Sequence, residues 1–204
     1  MLINVLVVAS TALGVVNAIP YWIDMYRGGT RPSKLGNFIW AFASIVRATA
    51  FIYLSGMSAG AWLQVAFAVT GVITFALALR FGMKGITPTD IVALIIGVSA
   101  IAMWLWLGPQ WAVLLTAVST SAGYAATIAK TYRHPRTENL HHWLMVATGA
   151  ALSFVAISLA DGWVFVLLAP ALVTVLGSLT VIAINFRRTE PVISLAGQNL
   201  GLAA

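Results

Sequence analysis

The stretch from Ala18 to Trp40 reads AIPYWIDMYRGGTRPSKLGNFIW. It begins inside an apolar run that starts near the amino end. It then turns over Gly28-Gly29 and Pro32, carries Arg27, Arg31 and Lys34, and re-enters an apolar run. Glycine and proline punctuate a turn. Basic residues clustered between two long apolar runs are the pattern of a short loop on the cytoplasmic side of a membrane. This stretch therefore predicts two bilayer-crossing helices joined by a cytoplasmic turn.

The rest of the chain repeats the pattern. Hydrophobic residues make up 61% of the 204 and charged residues 8%, whereas a soluble domain is about one quarter charged. Seven apolar segments, near 3–25, 37–55, 61–80, 90–107, 111–131, 141–159 and 163–186, approach the ~20 residues that a helix needs to span hydrocarbon. Arg80 and Lys84 follow the third, Lys130, Arg133 and Arg136 follow the fifth, and Arg187 and Arg188 follow the seventh. With Arg27, Arg31 and Lys34, ten of the eleven basic residues thus fall on one side of a seven-span chain. The loops at Gly56–Gly60, Gly108–Gln110 and Ala160–Gly162 carry none. The expected fold is an all-α membrane protein of seven transmembrane helices, with the amino terminus outside and the carboxyl terminus cytoplasmic. A bacterial cytoplasmic (inner) membrane is the expected location. The first segment lacks the basic start of a signal peptide and is expected to remain as a helix. Tryptophans fall near both ends of the spans, as interfacial anchors do.

The chain also echoes itself. Tyr26-Arg27 with Thr30-Arg31 is answered by Tyr132-Arg133 with Arg136-Thr137. Each group precedes a helix with an early tryptophan, Trp40 or Trp143, and Phe51 and Trp62 are answered by Phe154 and Trp163. One face of the first helix carries Ser10, Gly14, Asn17, Tyr21 and Asp24. Shifted by 106 residues, the same face of the fifth carries Thr116, Thr120, Gly123, Thr127 and Lys130. The expected organisation is a parallel repeat in a 3+1+3 arrangement. Residues 1–81 and 109–188 are the three-helix repeats, 82–108 holds a linker helix, and 189–204 forms a flexible tail. Lipid cannot satisfy a polar stripe, so each stripe must face protein or water. Helix–helix glue and a shared solute pathway both answer that requirement.

This order resembles the SWEET and PQ-loop transporter superfamily, whose parallel repeats are known. The local text is similar too: Ala18-Ile19-Pro20-Tyr21, then Thr30-Arg31-Pro32-Ser33-Lys34, then Phe38-Ile39-Trp40. Tyr21 stands where that family has Gln, and the second copy reads Ala126-Thr127 in place of the Pro-Gln pair. The resemblance implies alternating access, with Pro20 as a hinge, because proline removes a helical hydrogen bond and bends the axis. Pro170 in the seventh segment is the other candidate bend.

Arg47 is the sharpest single feature. It falls near mid-span, where a lone arginine costs about 2.5–3.5 kcal/mol even on the lenient insertion scale. It must face the interior and find an acceptor, either a solute or an internal partner such as a backbone carbonyl, Asn17 or a tyrosine. Asn17, Tyr21, Arg47, Thr120, Tyr124 and Thr127 are the candidate solute-binding residues. Asp24 and Lys130, equivalent and opposite in charge, form a candidate cytoplasmic gate. Gln64 and Asn185 are weaker candidates near span ends.

Enzyme readings fail on geometry. Gly56-Met57-Ser58-Ala59-Gly60 matches a nucleophile pattern, but it lies in a loop without the strand-to-helix elbow. The histidines His134, His141 and His142 lie on the opposite side. With Glu138 the three histidines suggest a metal, but Pro135 interrupts the helix that would align them. The seventh span lacks a lysine for a retinal Schiff base, and the chain lacks an ATP-binding motif and cysteine. Neither a cofactor nor a metal is expected. The expected function is a facilitator or ion-coupled carrier for a small polar solute, anionic or zwitterionic. The alternative is a non-transporting receptor or assembly subunit on the same scaffold. Lipid and the solute are the expected partners, nucleic acid is excluded, and a homo-oligomer is left open.

Overall fold

The computed structural model describes residues 1–30, 32–82, 85–86, 88–133, 138–160 and 164–187; within them the side chains of Thr89, Asp90, Ala126, Lys130, Arg133 and Arg187 are not described. The chain order is α1 (Leu2–Val16), α2 (Ala18–Tyr26), α3 (Lys34–Ser55), α4 (Ala59–Phe81), α5 (Pro88–Leu107), α6 (Pro109–Arg133), α7 (Leu140–Ala160) and α8 (Phe165–Arg187). Six rods, with α1 and α2 counted as one, are long and apolar enough to cross a membrane. Helix α5 adds a shorter apolar stretch, Ile91–Leu107. The chain is a multi-pass integral membrane protein.

The helix ends follow local chemistry. Gly28, at φ 76°, takes the turn after α2 into a backbone region that other residues avoid. Ser33 caps α3, its hydroxyl accepting from the Gly36 N–H at 3.1 Å. Pro88 and Pro109 open α5 and α6, where a missing N–H costs nothing.

The first span is one continuous segment in the sequence and one rod in the structure, but its ladder of helical hydrogen bonds is interrupted while the backbone at Asn17 stays α-helical at φ −57° and ψ −28°. The break is at Asn17, three residues before Pro20. Proline cannot supply the N–H that would close the helix there. The Asn17 side chain steadies the loosened turn, its Nδ2 donating to the carbonyls of Leu13 and Gly14 at 2.7 Å each.

The packing differs from that of a soluble domain. Large apolar side chains such as Leu105, Trp106 and Phe165 point outward, while Ser10, Thr116, Ser119, Ser153 and Ser178 are fully buried. Small residues let helix backbones approach where lipid offers no hydrophobic drive for association. Gly149 of α7 abuts the Ser10 carbonyl and Leu13 of α1, and Gly71 of α4 abuts Ala41 of α3. Many hydroxyls return to their own helix. Thr116, Thr120, Thr131 and Thr174 each donate to the carbonyl four residues earlier at 2.7–2.8 Å.

Helix α4 packs against both α1 and α3, and α8 packs against both α6 and α7. Between these groups α1 lies on α7 and α3 lies on α6, with α5 resting on α6 and α3. At the end of the bundle opposite the Arg27–Lys34 turn, six helices contribute to a buried apolar cluster. It includes Val46, Phe51, Val113, Ile157, Leu167 and Leu168, with Phe154 packed against it. Toward the Arg27–Lys34 end, called the basic end below, the described residues form a second cluster around Tyr124, Trp143, Val181 and Ile182, with Trp40 packed against it. Residues 189–204, expected as a tail, lie outside the described residues, as do Asp161, Gly162 and Trp163.

Candidate functional site

A cavity of ≈390 Å³ enters the bundle from the basic end. Both helix groups build it. Asn17 and Tyr21 come from the break in the first rod, Trp40 and Ser44 from α3, and Thr70 and Thr74 from α4. Thr120, Gly123, Tyr124 and Thr127 come from α6, His142 and Trp143 from α7, and Thr174 from α8. Pro32, Ser33 and Glu138 line its mouth.

Five of the six candidate solute-binding residues, Asn17, Tyr21, Thr120, Tyr124 and Thr127, line this space. The polar stripes divide along their length. On the first rod Ser10 and Gly14 are packed against protein, Gly14 facing Leu63 and Ala66, while Asn17 and Tyr21 border the cavity. On α6 Thr116 is fully buried, while Thr120, Gly123 and Thr127 border the cavity. Helix packing and cavity wall are therefore successive turns of the same stripe.

Arg47 stands behind the wall rather than in it. It is 4% exposed. Its Nε donates to Gln64 Oε1 at 2.7 Å and its Nη1 to Thr120 Oγ1 at 3.0 Å. Among the described residues, neither a backbone carbonyl nor Asn17 nor a tyrosine is its acceptor. Gln64 is 2% exposed and far more central than its place near a span end suggested. A mid-span arginine needs a buried acceptor, and that requirement was the available signal for Gln64. Both acceptors are neutral, so no carboxylate offsets the guanidinium charge among the described residues.

An aromatic layer separates Arg47 from the mouth. Trp40, Tyr124 and Trp143 pack together with ring centroids 5.5–6.3 Å apart. Trp40 reaches this position because Gly123 has no side chain: a Cβ there would lie 2.1 Å from Trp40 Nε1. Tyr124 lies over Gly177 in the same way and bonds to Ser178 through its hydroxyl at 3.1 Å.

At the mouth, α7 docks on the broken first rod. Asn139 caps α7, its Oδ1 accepting from the His142 N–H at 3.0 Å, and its Nδ2 donates to the Asp24 carboxylate. His142 Nδ1 lies 2.8 Å from the carbonyl of Asn17 and its ring stacks on Tyr21 at 5.0 Å. The Glu138 carboxylate accepts from Trp143 Nε1 at 3.1 Å. The candidate gate is half visible: Asp24 meets Asn139, and the side chain of Lys130 is outside the described residues. His134 lies outside them as well.

No protein-family model, curated protein or solved structure matches this chain. The chemistry of the site rests on these residues alone. The sequence offers His142 only as a weak metal candidate and gives no sign that Asn139 or Glu138 lies beside a cavity. Asn139 four residues before Trp143 had the form of a helix cap, which was the one local signal available.

Proposed function

We propose that this protein is a membrane carrier, a facilitator or ion-coupled transporter, that moves a small polar solute by alternating access. The observation that carries the proposal is the cavity itself. It is open at one end, walled by residues from both helix groups, and backed at the other end by a buried apolar cluster. A binding site at mid-depth between two halves, exposed to one side at a time, is what a carrier requires.

In this reading the two groups are the halves of a 3+1+3 parallel repeat of seven spans. The contacts support it, because α4 on α1 and α3 mirrors α8 on α6 and α7, and α1 on α7 mirrors α3 on α6. The basic loops put the cavity mouth, and the carboxyl terminus, in the cytoplasm. The state seen is then inward-open. The break at Asn17 and Pro20 serves as the hinge. Such an architecture is that of the SWEET and PQ-loop superfamily which the sequence resembles.

Arg47 favours a solute with an anionic group, either an anion or a zwitterion. Its charge is buried against two neutral acceptors, one of which, Thr120, borders the cavity. A carboxylate entering beside Thr120 would meet a guanidinium already desolvated, where charge-assisted hydrogen bonds are strongest. The test is uptake by proteoliposomes of a labelled panel of hydroxy acids, amino acids and neutral sugars. Saturable uptake of an acid or amino acid, lost on Arg47→Ala in folded protein, is the expected result. Flux of neutral sugars alone overturns the charge assignment. Absence of any flux, with a partner protein retained on purification, favours the assembly-subunit reading.

A further inference from the structure

His142 occupies a position that a solute pathway does not need but that a coupling ion does. Its ring borders the cavity, so it can exchange with whatever fills that space. A carbonyl oxygen can only accept a hydrogen bond, so at 2.8 Å from the Asn17 carbonyl Nδ1 must carry a proton. Nε2 is then the atom left to titrate. Nε2 has no hydrogen-bond partner among the described residues and is not among the sealed polar atoms.

The carbonyl it holds belongs to the residue at which the first rod breaks. The same ring stacks on Tyr21, on the other side of Pro20, at 5.0 Å. One imidazole therefore touches the proposed hinge both above and below the proline. The docking crosses from the second helix group to the first, so its strength bears on how freely the two groups rock.

We infer that His142 is the proton site of a proton-coupled carrier, binding one proton on Nε2 and reporting it to the hinge through the Asn17 carbonyl. This rests on the carrier reading above. The step adds one proton to a neutral imidazole and removes the same proton later, with no bond to carbon made or broken. As imidazolium, His142 keeps a proton on Nδ1 and its bond to Asn17 is charge-assisted, about twice as strong as a neutral one. As neutral imidazole it keeps its single proton on Nδ1, but the bond to Asn17 loses its charge assistance and the hold weakens. The proton thus latches the cavity open to the basic side. The empty carrier resets only after releasing the proton to that side.

Among the described side chains the charged and titratable groups around His142 can be named element by element, and α1 and α8 carry none. Tyr21 and Asp24 face it from α2, the latter through Asn139. Glu138 precedes it, His141 is its neighbour on α7, and α4 presents only the hydroxyls of Thr70 and Thr74 to the cavity.

The test uses the full chain in lipid nanodiscs without solute. The protein has no cysteine, so spin labels can be placed at Arg27→Cys and Tyr132→Cys, at the basic ends of α2 and α6. Their distance distribution is followed from about pH 5 to pH 8, the range in which histidine titrates. The expected result is a shift from the open to a closed population as pH rises, by roughly tenfold in their ratio, a usual size for site coupling. His142→Gln, which can still donate to Asn17 but cannot take a proton, should abolish the pH response while eluting as folded protein. Glu138→Gln should keep the response and move its midpoint to lower pH. A response that persists unchanged in His142→Gln, or its absence in the parent protein, overturns the proposal. Solute uptake is measured separately, so a protein that shifts with pH but carries nothing would refute the carrier reading and leave the proton site standing.

Discussion

Arg47 of α3 donates from Nη1 to Thr120 of α6 at 3.0 Å, a bond that joins the two helix groups at the inner end of the cavity. The same guanidinium holds Gln64 of α4 at 2.7 Å, so one side chain ties three helices together. Removing it strands the buried amide oxygen of Gln64, while Thr120, which borders the cavity, keeps its own bond to the Thr116 carbonyl. Arg47→Ala should lower stability by about 1–3 kcal/mol, the usual penalty for an unsatisfied buried partner. Arg47→Met paired with Gln64→Leu should recover most of that loss, since apolar replacement of both partners leaves nothing unpaired. Solute uptake should remain absent in the pair. Thermal melting in detergent and proteoliposome uptake measure the two effects separately, and recovered uptake in the pair would remove Arg47 from the binding site.

Gly123→Ala tests the aromatic layer. Alanine is the better helix former by about 1 kcal/mol, so an open site would gain stability. The added Cβ would instead sit 2.1 Å from Trp40 Nε1. The expected outcome is a lower melting temperature and a shift in tryptophan fluorescence. Trp40→Phe should relieve the clash in the double variant. A stabilised single variant would show that Trp40 does not hold this position.

Accessibility distinguishes the two ends. A cysteine at Asn37, in the cavity wall, should react with a membrane-impermeant thiol reagent added from the basic side and not from the other. A cysteine at Val113, fully buried in the apolar cluster at the opposite end, should react from neither. Labelling of Asn37→Cys in inside-out but not right-side-out vesicles would also establish the proposed orientation. The reverse result would invert it.

Asn139 performs two tasks, capping α7 and binding Asp24. Loss of a cap costs about 0.5–2 kcal/mol. Asn139→Ala should therefore destabilise, and Asn139→Ser should retain part of the cap. Asn139→Asp keeps the cap but sets a second carboxylate against Asp24. Near neutral pH it should be less stable than Asn139→Ser. Melting curves of the three variants give the ranking, and equal stability of the Asp and Ser variants would show that Asp24 is not engaged.

The helices and their ends were legible because the membrane reads composition directly. Apolar length, glycine and proline punctuation and the basic loops each act locally, and expected span ends such as 55 and 107 coincide with the ends of α3 and α5. The break at Asn17 was foreshadowed by Pro20 for the same local reason. The site was legible in part. The polar stripes named Asn17, Tyr21, Thr120 and Thr127, since lipid cannot solvate them. How far along each stripe packing gives way to cavity was not legible, because that depends on which neighbour faces each turn.

Sequence alone thus determined that the chain lives in a bilayer, where its helices begin and end, and that Arg47 must be satisfied inside. The tertiary structure decided its partners, Gln64 and Thr120, and put His142 on the Asn17 carbonyl 125 positions away. Burial of a charge demands an acceptor but does not say which one. The choice falls to helices far apart in sequence, brought within hydrogen-bond distance only by the way their small-residue faces pack.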